Sequence, residues 1–241
     1  MNNNKLIPAV DWNAYAQKYD MLLAYNPYYQ EAFQKILATL KEWNIEKGGL
    51  VADLGAGTGN YSVEMARLFP HARIMHIDNN KTMNARAAKK AVGIPNFEIM
   101  HCDIQQVDLA PQSLQGLLCI NSLYTFPAPQ EALQKMNKWL APGAKAVFLD
   151  PGRIMNITAW KLAISKYLLG TYGLKKTLRI FKESQVVGKQ NAYIRAMQKN
   201  GSYWTHSHED FCEAIREAGF QIETASTCFR GECDLVLARK A

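Results

Sequence analysis

The stretch V-A-D-L-G-A-G-T-G, from Val51 to Gly59, constrains the fold of this chain more than any other segment. An apolar run over residues 49 to 54 is typical of a strand buried inside a parallel sheet. Three glycines follow at every second position, and glycine permits positive φ angles and a close approach of the backbone to a ligand. Residues 60 to 69 then show a helical pattern, and the free N–H groups of that helix would face the turn. The segment predicts a strand, a ligand-binding turn and a helix in succession.

Strands and helices continue to alternate beyond this unit. The pattern predicts further strands at 73–77, 96–100, 117–120 and 144–149, and helices at 82–92 and 129–140. A turn at Pro142-Gly143 is expected before the fifth strand. Residues 203 to 220 indicate a helix preceded by a short lead-in, with a capping box at Ser207, and two closing strands follow at 221–226 and 234–238. We therefore expect an α/β fold with a doubly wound, mostly parallel, seven-stranded sheet flanked by helices.

Two helical regions frame this alternation. Residues 11 to 43 have a helical pattern that Pro27 interrupts, and residues 153 to 200 indicate two or three helices without a convincing strand. We interpret the chain as a single domain in four parts. They are an N-terminal helical lid (1–48), a cofactor-binding core (49–152), a helical insertion or cap after strand five (153–202), and a closing helix with two strands (203–241).

Composition excludes several classes of protein. The 241 residues are 48% hydrophobic, which is enough for a core without disulfide or metal support. The five cysteines are scattered, with no C-x-x-C, so we expect reduced thiols and no metal site. The N-terminus is polar and no run of 18 apolar residues occurs, which favours a cytoplasmic protein. The net charge of +7 fits either a solvated basic surface or an anionic partner.

Charge around the glycine turn discriminates between two cofactors. The spacing is G-x-G-x-G, whereas a dinucleotide site normally has G-x-G-x-x-G. Asp53 stands two residues before the first glycine, where it would repel a pyrophosphate but suit a cationic ligand. Asp78 follows the second predicted strand, at the position where an acid can accept ribose hydroxyls. S-adenosyl-L-methionine is a nucleoside with a sulfonium, an ammonium and no phosphate, so these residues favour it over NAD.

The chain resembles the class I S-adenosylmethionine-dependent methyltransferases, well over residues 50 to 150 and more loosely over 203 to 240. The resemblance rests on Val51 to Gly59, on Asp78, on His101-Cys102-Asp103-Ile104, and on Leu140 to Ala144, where Ala144 replaces the usual second glycine. It implies that the acid and the glycine loop hold the methionine end, that Asp78 with Asn79 holds the ribose, and that Met83, Asp103 and Ile104 contact the adenine. The implied cofactor residues are Tyr15, Tyr19, Asp53, Gly55, Ala56, Gly57, Gly59, Asp78, Asn79, Met83, Asp103, Ile104, Asn121 and Ser122.

The end of the fourth strand bears on the acceptor. Enzymes that methylate exocyclic amines carry N-P-P-Y there, whereas this chain has Asn121-Ser122-Leu123-Tyr124 and is more similar to bacterial small-molecule and lipid-quinone methyltransferases. In such enzymes a tyrosine of the N-terminal segment closes over the cofactor, and Tyr15 and Tyr19 match it. These aromatics are equally compatible with simple packing of a helix on the sheet. Methyl transfer from a sulfonium needs alignment more than a base. The candidates for a catalytic role are Tyr19, Tyr124 and His206.

His206 lies two residues before His208, and this pair has two interpretations. His206 could accept a proton beside the pocket, or both histidines could be solvent-exposed residues of a helix-capping region, which we favour. A metal site is not expected, because residues i and i+2 point to different faces of a helix.

The insertion combines apolar and basic residues. An apolar face is predicted from Ile154, Ile157, Trp160, Ile164, Tyr167 and Leu168. Lysines and arginines occupy the other side, where they would be simply solvated, lie on an anionic membrane or bind RNA. The expected activity is methyl transfer to a small-molecule or lipid-like acceptor by a monomer or homodimer, with peripheral membrane contact through the insertion and nucleic acid less expected. The alternatives are an RNA or protein methyltransferase and a non-catalytic cofactor-binding protein.

Overall fold

The computed structural model describes residues 9–241 as a seven-stranded sheet with helices on both faces. Seven strands form the sheet: β1 (Leu50–Leu54), β2 (Arg73–Asp78), β3 (Phe97–His101), β4 (Leu114–Ile120), β5 (Leu140–Asp150), β6 (Phe220–Cys228) and β7 (Cys233–Lys240). The helices are α1 (Trp12–Ala16), α2 (Asp20–Tyr25), α3 (Pro27–Leu40), α4 (Asn60–Leu68), α5 (Lys81–Lys90), α6 (Pro129–Trp139), α7 (Ile157–Glu183), α8 (Gln185–Lys199) and α9 (His208–Glu217).

The strand order is β3-β2-β1-β4-β5-β7-β6. The first five strands are parallel, and β7 is antiparallel to both β5 and β6. This confirms the expected doubly wound, mostly parallel sheet. The order reverses between β1 and β4, and in sheets of this kind a crevice for ligands opens outside the carboxyl ends of the strands at that point.

The core fills both faces of the sheet. Consecutive residues of β4 illustrate this, because Leu117 packs against one buried cluster with Phe148 and Phe211, while Leu118 packs against the other with Ile36. Strands covered on both faces read as continuous apolar runs rather than as alternating ones. The prediction of buried parallel strands succeeded for this reason.

Two local expectations need correction. The N-terminal helical region is three short helices rather than one helix with a break, and Asn26 caps α3 by accepting from the N–H groups of Tyr28 and Tyr29. The turn at Pro142-Gly143 lies inside β5, where the pairing with β4 skips from Leu140 to Lys145. The closing helix begins at His208, after the predicted lead-in, and the capping box between Ser207 and Asp210 is present as predicted.

The insertion is helical, as expected, with one long and one shorter helix. Gly173 interrupts α7 with φ 71° and ψ 174°, a conformation outside the helical region. A third buried cluster joins this insertion to the N-terminal helices, with Tyr15 and Tyr124 packed against Val187 and Ile194. None of the helices within residues 9–241 is both long and apolar enough to cross a membrane.

Candidate cofactor and acceptor site

The glycine loop after β1 has the backbone that its sequence predicts. Gly55, Gly57 and Gly59 have φ angles of 63°, 57° and 79°. A Cβ at Gly55 would lie 2.4 Å from the Ser122 Cβ, and one at Gly59 would lie 2.8 Å from the Ala87 Cβ. A Cβ at Gly57 would meet no protein atom within 4 Å. Packing therefore requires glycine at positions 55 and 59, whereas Gly57 leaves open space beside the loop.

Asp78 joins this loop to the end of β2. Its Oδ2 accepts from the Gly57 N–H at 2.8 Å and its Oδ1 from the Asn80 N–H at 2.7 Å. Burial raises the pKa of this carboxyl, and the two N–H donors oppose that effect by stabilising the charge. Each oxygen keeps further lone pairs for a ligand hydroxyl.

The loop after β3 comes close to the same point. The Asn79 Nδ2 donates to the Asp103 Oδ2 at 3.0 Å, and the Gln105 N–H donates to the Asp103 Oδ1 at 3.0 Å. Asn79 and Asp103 were predicted from separate segments, and the fold places them in contact.

A buried polar chain that the sequence did not reveal positions α5 beside these loops. The Asn84 Nδ2 donates to the Asp78 carbonyl at 2.9 Å, so its Oδ1 accepts from the His76 Nε2 at 3.0 Å. The His76 Nδ1 then accepts from the Ser62 hydroxyl at 2.8 Å. Burial lowers the pKa of His76 to about 4, so the imidazole is neutral at neutral pH. Only the fold brings these residues together, because their sequence spacing carries no motif.

These loops enclose a cavity of about 200 Å³. Most of the predicted cofactor residues line it: Tyr19, Gly55, Gly57, Asp78, Asn79, Met83, Asp103, Ile104, Asn121 and Ser122. The wall also contains residues that were not among the predicted cofactor contacts: Trp12, Ile77, Asn80, Cys102, Thr125, Phe126 and Pro127. Most of these are chain neighbours of predicted residues, so the positions of the strand ends would have suggested them.

Asp53, Ala56, Gly59 and Tyr15 were also predicted to contact the cofactor, but they do not line this cavity. Asp53 lies in β1 with only 2% of its surface exposed, and its Oδ2 has no hydrogen-bond partner. Burial raises the pKa of Asp53 to about 7, and the charge of Asp78 adds to this, while a hydrogen bond from the Ser62 backbone N–H opposes it. An unpartnered carboxylate oxygen at this depth is costly unless it is protonated or a cation approaches.

Asn121, directly after β4, has a left-handed backbone conformation. Its φ is 53°, in the left-handed region that favours glycine, and its N–H donates to the Leu149 carbonyl at 2.6 Å. The side chain lines both the cavity of about 200 Å³ and a larger one beside it. Strained residues of this kind occur where the surrounding structure fixes a side chain at a site.

Hydrogen bonds of Asn13 and Asp20 attach the N-terminal helices to α5 and the glycine loop beside the smaller cavity. The Asn13 Oδ1 accepts from the Asn80 Nδ2 at 3.1 Å and from the Thr82 hydroxyl at 2.7 Å. Asp20 accepts from the Thr58 hydroxyl at 2.6 Å and from Lys90 at 2.7 Å, and it pairs with Arg86 at 3.1 Å.

Partial burial would raise the pKa of Asp20, but the hydrogen bonds from Lys90 and Thr58 outweigh it and the pKa is lowered. Asp20 is therefore ionised at neutral pH. It joins the N-terminal segment to both the glycine loop and α5.

The larger cavity has a volume of about 710 Å³ and lies between the N-terminal helices and the insertion. Aromatic and aliphatic side chains dominate its wall: Trp12, Tyr15, Tyr19, Leu22, Tyr25, Tyr29, Ile157, Trp160, Ile164, Leu168, Ile180, Phe181, Val187 and Ile194. The predicted apolar face of the insertion thus points inward, except that Ile154 is 45% exposed and Tyr167 packs on Tyr172. Trp12, Tyr19 and Asn121 line both cavities.

Residues 51–143 match the family model of the methyltransferase domain. The demethylmenaquinone methyltransferase of Listeria welshimeri is 25% identical over 188 residues, which cover 76% of this chain and 74% of that protein. The probable tRNA methyltransferase 9B of Mus musculus is 23% identical over 218 residues, covering 86% of this chain and 41% of that protein. The N-methyltransferase NodS of Bradyrhizobium japonicum, crystallised with S-adenosyl-L-homocysteine, has a TM-score of 0.62 at 18% identity and covers 95% of this chain and 98% of its own.

The chain carries a class I S-adenosylmethionine-dependent methyltransferase domain. The cofactor of this methyltransferase is S-adenosyl-L-methionine, and the cavity of about 200 Å³ has features that fit it. Asp78 has spare lone pairs for ribose hydroxyls, Gly57 leaves room for ligand atoms against the backbone, and an unpartnered oxygen of Asp53 lies behind the loop.

Two of the three catalytic candidates of the methyltransferase are buried phenols. Burial raises the pKa of both Tyr19 and Tyr124 well above the ordinary value, so neither is a phenolate near neutral pH. Tyr19 lines both cavities, whereas Tyr124 lines the larger one alone. At neutral pH these side chains can donate a hydrogen bond, but they cannot act as pre-ionised bases.

The third candidate, His206, is wrongly placed for the predicted role. It lines neither cavity, and only 1% of its side chain is exposed, so the favoured expectation of an exposed histidine is also wrong for this residue. Its ring stacks on Phe211 at 4.5 Å, and its nitrogens lie 3.5 Å from oxygens of Asp150 and Asp234. The segment before α9 packs into the core, because β7 places Asp234 there to meet it. His208 is 30% exposed and contacts the Asp234 Oδ1 at 2.8 Å.

Proposed function

We propose that this protein transfers the methyl group of S-adenosyl-L-methionine to a small apolar acceptor of the quinone type, bound in the cavity of about 710 Å³. The observation that carries the proposal is the shared wall of the two cavities, formed by Trp12, Tyr19 and Asn121. A cofactor in the smaller cavity and an acceptor in the larger cavity would therefore come into contact beside these three side chains.

The roles we assign to the cofactor residues follow the hydrogen bonds of the strand ends. Asp78, held by Gly57 and Asn80, accepts the ribose hydroxyls. Asp103, held by Asn79, and the backbone of Ile104 contact the adenine, with Met83 against its face. Asp53 supplies negative charge from behind the glycine loop, on the side of the cationic methionine end.

The nature of the larger cavity supports an apolar acceptor. Its volume is in the range of sites for small organic ligands, and aromatic and aliphatic side chains form most of its wall. Among the described residues, the carboxylate that lines it is Glu232, and its oxygens accept from the Trp160 indole at 2.7 Å and the Asn156 N–H at 3.1 Å. A relative that is 25% identical is a demethylmenaquinone methyltransferase, which favours a quinone-type ring among apolar acceptors.

When bound, S-adenosyl-L-methionine supplies a methyl group on a positively charged sulfur, which is an excellent leaving group. The protein then needs to align the acceptor with that methyl group and to exclude water. The N-terminal segment, fastened by Asn13 and Asp20, closes one side, and the insertion closes the other. Tyr19, a neutral phenol at the junction that is hydrogen-bonded to Tyr29, packs its ring against the acceptor and so fixes the orientation of the acceptor ring.

The test is a methyl-transfer assay with purified protein, methyl-labelled S-adenosyl-L-methionine and a short-chain demethylmenaquinone kept in its reduced form. Label should enter the quinol. The matched variant Ile164→Trp narrows the larger cavity and should abolish this transfer, while binding of the cofactor, measured by calorimetry, stays unchanged.

Parallel assays with bulk tRNA and with a protein lysate decide between this proposal and its competitors. Label in tRNA or protein with none in the quinol would overturn the proposed acceptor class, and the mouse relative makes tRNA the first macromolecule to test. Cofactor binding without label in any fraction would favour a non-catalytic binding protein.

A further inference from the structure

Four leucines of α7 are exposed, two before the break at Gly173 and two after it. Leu162, Leu169, Leu174 and Leu178 are 73%, 45%, 65% and 60% exposed. We call these four residues the leucine ridge. Single exposed leucines are ordinary, but several on one helix mark a surface that is covered by something apolar.

The net positive charge of the protein comes from the same region of the sequence. Between Arg153 and Asn200 the sequence has ten lysines and arginines and a single acidic residue, Glu183. The net charge of the full chain is +7, so the remainder is slightly negative. The charged side chains beside the ridge include Lys166, Lys175, Lys176, Arg179 and Lys182, all exposed.

We infer that the outer face of α7 docks on an anionic membrane surface, with the leucine ridge in the acyl boundary and the flanking lysines at the lipid headgroups. A helix with apolar side chains and a lysine-rich polar surface lies in the interface plane in this way. Anionic headgroups attract each nearby lysine or arginine, and the attractions of several such residues add up. The sequence had suggested an apolar face from Ile154 to Leu168, but four of its six residues line the cavity, and the exposed leucines provide the outward apolar surface instead.

Charge and apolarity together select the membrane over two other occupants. A second copy of the chain would bring two strongly basic faces against each other, which is unfavourable. RNA would satisfy the lysines, but its phosphates would leave the four leucines in water. An anionic bilayer satisfies both kinds of side chain.

Docking of this face would bring the larger cavity close to the bilayer. The functional value of this arrangement rests on the proposed function. The side of α7 that faces inward contributes Ile157, Trp160, Ile164 and Leu168 to the cavity wall. After the break at Gly173, Ile180 and Phe181 also line the cavity, so both segments of α7 carry exposed leucines as well as residues of the proposed acceptor site. A lipid-like acceptor would reach the cavity from the bilayer without crossing bulk water.

The first arm of the test measures binding to vesicles of phosphatidylcholine with and without phosphatidylglycerol, by co-sedimentation. The protein should bind the anionic vesicles. The triple variant Lys166→Glu, Lys175→Glu, Lys182→Glu should weaken this binding at least about 100-fold, because three attractive charges become repulsive. The control Lys41→Glu, Lys47→Glu, Lys138→Glu makes the same change in net charge at exposed positions elsewhere and should leave most of the binding intact.

The second arm tests the leucine ridge. Leu174→Gln with Leu178→Gln should weaken binding to anionic vesicles about tenfold or more, since partly inserted apolar area is lost. Val92, which is 81% exposed and distant in sequence, provides the control variant Val92→Gln, which should have no effect. All of these positions are exposed, so circular dichroism and thermal unfolding should match the wild-type protein.

Several results would overturn the docking surface. One is equal binding of the ridge variants and the wild-type protein to anionic vesicles. Another is tighter binding of the wild-type protein to tRNA than to anionic vesicles. A third is a wild-type dimer in solution that becomes a monomer in the ridge variants. Failure of this inference is distinguishable from failure of the proposed function. Vesicle binding needs no acceptor, and the same variants should still methylate the short-chain quinol dispersed in detergent, because none of their residues lines either cavity.

Discussion

The two cavities that meet at Asn121 are built in different ways. The smaller one is made from short loops that directly follow β1, β2, β3 and β4, with backbone N–H groups and compact polar side chains. The larger one is made from side chains of segments far apart in the sequence, such as Tyr15 and Asn191, whose hydroxyl and side-chain oxygen form a hydrogen bond of 2.7 Å. A local motif can specify the first kind of site, whereas only tertiary packing specifies the second.

The largest expected effect separates packing from ligand contact within the glycine loop. Gly57→Ala places a methyl group in open space beside the cofactor cavity, and S-adenosyl-L-methionine should bind at least about 100-fold more weakly. Gly55→Ala adds a clash with Ser122 at 2.4 Å and should also lower the free energy of unfolding by about 2–5 kcal/mol. Calorimetry and thermal unfolding measure the two quantities.

Gly143→Ala is the control for backbone strain alone. Gly143 has φ 75° and no neighbouring atom within 4 Å of an added Cβ, so stability should fall by about 1–2 kcal/mol with no change in cofactor affinity. If Gly57→Ala behaves like Gly143→Ala, the open space beside Gly57 is not the cofactor site.

The next effect concerns the acid at the end of β2. Asp78→Asn removes the charge and replaces one carboxylate oxygen by an NH2 group. This group would face the backbone N–H of either Gly57 or Asn80, so that two donors oppose each other. Hydrogen bonds to a charged group contribute about 1.5–3 kcal/mol, so the dissociation constant for S-adenosyl-L-methionine should rise about 10- to 100-fold. Asp108→Asn, at an exposed position, should not change it. Unchanged affinity in Asp78→Asn would show that the ribose lies elsewhere.

The contrast between the cavities explains what the sequence could predict. Parallel strands buried on both faces and a glycine loop leave local patterns, so the sheet and most of the smaller cavity were predictable. The inward orientation of Ile164 and Leu168 was not, because a helix with apolar residues on several sides does not show which side faces solvent. His206 was misplaced for a similar reason, since its partners Asp150 and Asp234 lie on other strands.

A smaller effect tests the buried charge behind the loop. The pKa of Asp53 is raised to about 7 in the fold, against about 3.9 in an unfolded chain. The folded state therefore holds this proton more tightly, and the stability that Asp53 contributes is full below about pH 4, falls as pH rises, and levels off above about pH 7. A cationic ligand favours the ionised form, so binding should release a proton and tighten about tenfold between roughly pH 6 and pH 7.5.

Calorimetry in buffers of different ionisation enthalpy measures that proton. Asp53→Asn should abolish both the proton release and the slope of affinity with pH, which separates Asp53 from any titration of the ligand itself. A slope that persists in this variant would mean that Asp53 does not sense the cofactor.

The smallest effect tests whether the two cavities act independently. Ile164→Ala removes apolar contact from the larger cavity and should raise the KM for the short-chain quinol about fivefold, while cofactor affinity stays constant. Met83→Ala does the same in the smaller cavity and should weaken cofactor binding by a similar factor with no change in the quinol KM at saturating cofactor. If each variant alters both constants, the junction at Tyr19 and Asn121 transmits the change, and the two sites form one coupled pocket rather than two neighbouring ones.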